Sequence, residues 1–153
     1  MLLDIATSVT LTAPADAVWA FVREPAQVAG CLPNLQDFVP AGQPNRYTTT
    51  LVERLGPFQV RIALTLDVTE DAAARRMVAA VSGDDRGGQA RVRGEVRATV
   101  QAVDEGSRLD VESAVEVLGR MASLGAVPMR RRGDQIFDAF VKTIGARLEA
   151  AHG

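Results

Sequence analysis

Cysteine occurs once, at Cys31, so no intrachain disulfide can form and the composition suits a reducing compartment such as the cytoplasm. Histidine also occurs once, at His152, where a helix end is expected to fray, which excludes a catalytic triad and a histidine-bearing metal site. No metal or other cofactor is expected. An excess of one charge is lacking too: 17 basic against 19 acidic side chains leave a net charge of -2, too weak a field to hold nucleic acid. No run approaches the roughly 18 uninterrupted apolar residues of a spanning helix. Met1-Leu2-Leu3-Asp4 has neither the basic start nor the apolar stretch of a signal peptide. What remains is an ordinary globular balance, 47% hydrophobic and 24% charged over 153 residues, enough for a single domain spanning 1–153 with its own core.

Leu3, Ile5, Val9 and Leu11 alternate with Asp4, Ala6, Ser8 and Thr10, the pattern of a strand with one buried face. Pro14 stops it and opens a short helix to about Val22, with Asp16 favourably placed near the positive end and Trp19 as its core anchor. Glu24-Pro25 starts a second short helix, which Gly30 and Leu32-Pro33 end. Strands then follow over 35–39, 47–53, 58–69, 77–81, 90–102 and 108–117, with turns at 40–45, Gly56-Pro57 and Glu105-Gly106. The glycine-rich 83–88 lacks the lysine of a phosphate loop and reads as a mobile hairpin loop near a pocket mouth.

From about Met121 the period becomes helical, with Ile136, Phe137, Phe140, Val141, Ile144 and Leu148 on one stripe. Pro128 either kinks this helix or marks where its main part begins. The fold class is therefore α+β, a seven-stranded antiparallel sheet whose apolar face the long C-terminal helix must cover, since nothing else in the chain can.

The inner face of the 90–102 strand is made of alanine, valine and glycine, whereas that of 58–69 carries large groups. Small residues leave space above a sheet, and close packing requires that Phe137 and Phe140 or a ligand occupy it. At about 24 cal/mol per Å³, a dry void of roughly 300 Å³ would forfeit about 7 kcal/mol, comparable to the stability of a whole domain.

Several stretches together resemble the CoxG family, named for a carbon monoxide dehydrogenase subunit, within the START-like and Bet v 1-like (SRPBCC) helix-grip domains. They are Ala13-Pro14 with Val18-Trp19, Cys31-Leu32-Pro33, Gly56-Pro57, Gly88, Gly94-Glu95, 119–125 and 134–140. The resemblance implies a curved sheet wrapped around the long helix with a deep cavity between them. It also implies a non-catalytic carrier of lipids or quinones, or a factor bringing a molybdenum hydroxylase to the membrane. Asn34 stands where the family has glycine after Leu-Pro, and the sequence ends without the C-terminal extension some relatives use to reach the membrane. That weighs for cavity binding and against peripheral membrane contact.

On this reading Val60, Ile62, Leu64, Val92, Gly94, Val96, Met129, Gly133, Phe137 and Phe140 line the cavity, and the hydroxyls of Tyr47, Thr49 and Ser113 orient the ligand. Tryptophan at Gly94 or Gly133 is expected to block uptake and leave the fold intact. Cys31, with no histidine to activate it, reads as a buried small hydrophobe. Arg130-Arg131-Arg132 reads as a solvated face with Arg130 paired to Asp134, and otherwise as a site for acidic headgroups or carboxylates. The inward positions read here hold no Asp or Glu, so a cyclase- or hydrolase-type enzyme ranks below the binder. A pure interaction module with a filled core is the third reading.

Overall fold

The computed structural model describes the backbone of residues 1–152 and the side chains of 1–149, so the expectation placed on the His152 side chain lies outside the described residues. The order is β1 (Leu2–Leu11), α1 (Ala15–Val22), α2 (Pro25–Ala29), β2 (Leu35–Pro40), β3 (Arg46–Leu55), β4 (Phe58–Asp71), β5 (Arg76–Asp84), β6 (Arg91–Val103), β7 (Gly106–Leu118), a 3-10 turn (Arg120–Leu124) and α3 (Ala126–His152). The seven strands form one antiparallel sheet in the order β1-β7-β6-β5-β4-β3-β2. The seven-stranded antiparallel sheet with a long C-terminal helix is what the hydrophobic periodicities predict, and it is the helix-grip arrangement that the family resemblance implies.

Strand register turns the period-two pattern into one apolar inner face. Ile5, Ser113, Val96, Ala79 and Val68 form one row across five strands, and Leu3, Val115, Gly94, Val81 and Leu66 form the next. Two buried clusters sit on this face. One joins α1 and the later part of α3, with Val18, Trp19, Phe140 and Ile144 against Val100 and Leu109. The other joins the start of β4 to the start of α3, with Val60, Ile62, Leu64 and Val117 against Met121 and Met129. Between them the two rows are only half-buried.

The structure corrects the sequence reading at three places. The helical period from Met121 is two elements, because Gly125 takes φ +79° and separates the 3-10 turn from α3; Pro128 then falls in the first turn of α3, where its missing N–H costs nothing. Gly83 is not in a loop: it pairs with Leu64 and Val92 inside β5. The connection that remains, 85–90, is tied down by Asp85, whose carboxylate accepts from the amides of Gly87 and Gln89, and by the 3-10 turn, where Met121 N donates to Gln89 O at 2.7 Å. None of its residues lines the cavity.

Candidate functional site

The half-buried rows leave a cavity of about 130 Å³ beneath α2 and β2. Its floor is Leu66, Val68, Met77, Val78, Ala79, Val96 and Ala98 of β4, β5 and β6, and its roof is Val22, Pro25, Val28, Ala29, Leu32, Leu35 and Phe38. Every lining side chain is a hydrocarbon or a thioether, so the space offers dispersion and exclusion of water but no proton donor or acceptor. The floor is lowest over β5 and β6, where Ala79, Val96 and Ala98 stand beside the Leu66 of β4. The roof is short because Gly30 and Leu32-Pro33 prevent α2 from continuing.

This position differs from the one expected between the sheet and the long helix, and of the expected lining only Val96 borders the cavity. Val60, Ile62, Leu64 and Met129 are buried together in one core cluster, with Val92 packed on it, so they fill the interior at that end. Phe140 is buried in the other cluster, and Phe137 packs beside it with ring centroids 6.3 Å apart. The reason is the long helix itself, whose bulky groups plug the sheet at both ends and leave the middle to the shorter roof. Trp19 is likewise core, with the Arg23 guanidinium 6.0 Å above its ring.

The hydroxyl residues fare differently from one another. Thr49 is buried, but its Oγ1 donates to Gln36 O at 2.7 Å, so the protein already satisfies it and it has no need of a ligand. Tyr47 stacks on Phe38, a roof residue, at 5.0 Å. Ser113 is half-buried in the row that contains Val96 and Ala79. Nor can Gly94 carry a bulky probe without harm to the fold, because a Cβ there would lie 2.1 Å from Ala114 O. At Gly133 the nearest obstacle is the tip of the flexible Ile5 side chain, at 2.8 Å.

Charges also depart from expectation. Glu53 is an inward carboxylate, 8% exposed, on a face expected to be free of acids. The signal is in the alternation, since Glu53 shares parity with Tyr47, Thr49 and Leu51. Its Oε1 accepts from Arg132 Nε at 2.8 Å and its Oε2 from Asn34 Nδ2 at 3.2 Å. Arg132 thus turns inward out of the arginine run, while Arg130 and Arg131 stay exposed; among the described residues Arg130 makes no ion pair with Asp134.

Cys31 is buried in the cluster around α1, and that burial pushes its thiol pKa up, opposed by the nearby Arg147. The thiolate is the reactive form, so Cys31 is expected to react with a thiol reagent at pH 8 at least about tenfold more slowly in the folded protein than in denaturant. Equal rates measured by thiol titration would contradict the burial. Among the described residues, no group of three or more His, Cys, Asp or Glu side chains could hold a metal, and no helix is long and apolar enough to cross a membrane.

Residues 8–149 match the family model of CoxG, the carbon monoxide dehydrogenase component of that name. Among solved structures, the chain is similar to a conserved protein from Geobacillus kaustophilus, at 17% identity with 97% of each chain covered and a TM-score of 0.84. A START superfamily protein from Mycobacterium smegmatis is similar at 14% identity, 97% and 98% coverage and a TM-score of 0.72. For the Zhui aromatase/cyclase from Streptomyces sp. R1128 the values are 15% identity, 97% and 92% coverage and a TM-score of 0.56. No curated protein matches the sequence. At these identities the likeness to solved structures is one of fold.

Proposed function

This chain belongs to the CoxG family of carbon monoxide dehydrogenase subunits, and on that footing we propose that it reversibly binds a hydrophobic small molecule, lipid or quinone-like, in the cavity beneath α2 and β2. The observation that carries this reading is the all-apolar lining of a space that side chains leave unfilled. At the roughly 24 cal/mol per Å³ of an enclosed void, a fitting apolar guest would gain at most about 3 kcal/mol from filling 130 Å³. A space of this size suits a ring or a short stretch of chain, since an engineered cavity of about 150 Å³ takes up benzene. A larger guest requires the roof to move or part of the guest to lie outside.

The apolar lining supports carriage over catalysis, because proton transfer needs a tuned acid or base within reach of the guest. Glu53 gives the cyclase or hydrolase reading a buried carboxylate, but both its oxygens are engaged and it does not line the cavity. The family name supports a role as accessory to a carbon monoxide dehydrogenase-type molybdenum enzyme, and the lone cysteine supports a cytoplasmic setting. Native mass spectrometry followed by organic extraction tests the proposal. One apolar compound per chain is expected, or stoichiometric uptake when the protein is offered lipophile-loaded vesicles. A protein that emerges bare and takes up nothing overturns the carrier reading.

A further inference from the structure

The cavity has one weak wall. Its floor is three long central strands, whereas its roof combines the five-residue α2 with an edge strand whose pairing to β3 slips between Gln36 and Val39. Asp37, at that slip, has φ +55°, a conformation that costs a non-glycine residue energy. Edge segments with interrupted ladders open at lower free energy than central strands. The roof is therefore the least firmly laddered wall of the cavity.

Besides its ladder to β3, the bond from Thr49 Oγ1 to Gln36 O and that from Arg147 of α3 to Gly30 O, the roof is held by one charged group on the inner face. Asn34, immediately before β2, is fixed to β3 twice: its carbonyl accepts from Val52 N at 2.9 Å, and its side chain donates to Glu53. Glu53 in turn accepts from Arg132 of α3. The next residue of α3, Gly133, packs on Ile5 of β1, at the opposite edge of the sheet. Both sides of the sheet thus meet the long helix at one level, β1 by close packing and β3 by an ion pair.

An ion pair at an inward position gains little over apolar packing, because desolvation offsets most of the attraction. Its distinctive property is that it can part. The Arg132 side chain is 32% exposed, so the guanidinium can move from Glu53 into water, which an apolar contact could not do at comparable cost.

We propose that Glu53 and Arg132 form a clasp that holds the Asn34–Leu35 end of the cavity roof against the long helix, and that loading and release of the cavity proceed by opening of this roof when the clasp parts. The proposal rests on the carrier reading for its meaning but concerns a motion that occurs with or without a guest. Glu53 and Arg132 are positioning residues, since neither lines the cavity. The clasp sets how fast a guest enters and leaves, and the apolar lining sets how tightly it is held.

The test uses the full chain and its Arg132→Met, Arg132→Lys, Glu53→Gln and doubly substituted Glu53→Gln/Arg132→Met variants. Stopped-flow fluorescence of the neutral lipophile N-phenyl-1-naphthylamine gives uptake and release rates, and hydrogen exchange reports on residues 30–40 without any ligand. Losing a charged hydrogen bond is expected to raise both rates and the exchange of 30–40 by about tenfold or more in R132M, with the dissociation constant and the exchange of β6 nearly unchanged. R132K is expected to return part of the way, and the double variant to behave like either single one. If E53Q does not fold, R132M and R132K carry the comparison. Unchanged exchange of 30–40 in R132M overturns the clasp, as does weaker binding with no gain in rate. A wild-type protein that binds no probe while R132M still loosens 30–40 would instead count against the carrier reading and leave the clasp standing.

Discussion

Gly94→Ala is expected to destabilise the protein by about 4 kcal/mol or more, a fall in Tm of roughly 8–16 °C for a domain of this size. Gly94 lies mid-strand between Val81 and Val115, and its φ is one that any residue adopts. What forbids a side chain is proximity. A Cβ would sit 2.1 Å from Ala114 O and 2.7 Å from the Cα of Val115, atoms of the neighbouring backbone that cannot step aside without breaking the β6–β7 ladder. Gly83 of β5 shows the same crowding, with Ala63 O at 2.2 Å. Glycines within strands commonly mark such close approaches, and here they let the sheet close around its contents. Gly145→Ala is the internal control: nothing lies within 4 Å of its Cβ position in α3, so it should gain up to about 1 kcal/mol. A Gly94→Ala protein that melts with the wild type would mean that the β6–β7 approach is not as close as described.

Ala79→Phe is expected to lower affinity for an apolar guest by at least about tenfold and up to about a hundredfold while Tm is held or raised. Ala79 sits in the middle of the cavity floor, paired to Val68 and Val96, which also line it. Its backbone has no special geometry, so the added ring has only the cavity to enter. Filling 130 Å³ with a side chain removes at most the roughly 3 kcal/mol that a guest would otherwise gain there, an upper bound of about two powers of ten in binding. Titration with the naphthylamine probe and a thermal melt on the same sample separate occlusion from unfolding. Full affinity in a stably folded Ala79→Phe protein would place the guest elsewhere. The paired expectation, with a fall in Tm at Gly94 and none at Ala79, separates the glycine that shapes the sheet from the alanine that leaves it room.

The two substitutions also show why the cavity is easier to foresee than to locate. Small side chains on the 90–102 strand predict space above it, and of that strand Val96 and Ala98 border the pocket, whereas Ala90, Val92 and Gly94 do not. Its roof is a different matter, because a helical stripe in sequence says which residues face inward but not how far along the sheet each one reaches. Phe137 and Phe140 occupy the end near α1, and Met129 the end near the 3-10 turn, so the middle falls to α2 and β2. Arg132 and Glu53 stand 79 positions apart, and no local pattern announces such a pairing. The parity of Glu53 does announce its direction, but at the far end of a strand parity alone does not tell burial from exposure.

Element order, the count of seven strands, the inward parity of the strands other than β2 and the need for a covering helix were set by periods of two and 3.6 and by the prolines and glycines that interrupt them. These are properties of one chain segment at a time, so the sequence alone determines them. Which side chains meet across the sheet, how closely β6 and β7 approach, where the unfilled space lies and which arginine turns inward were decided only by tertiary packing. Each depends on how much volume distant segments bring to the same place, and that sum exists only once the chain has closed on itself.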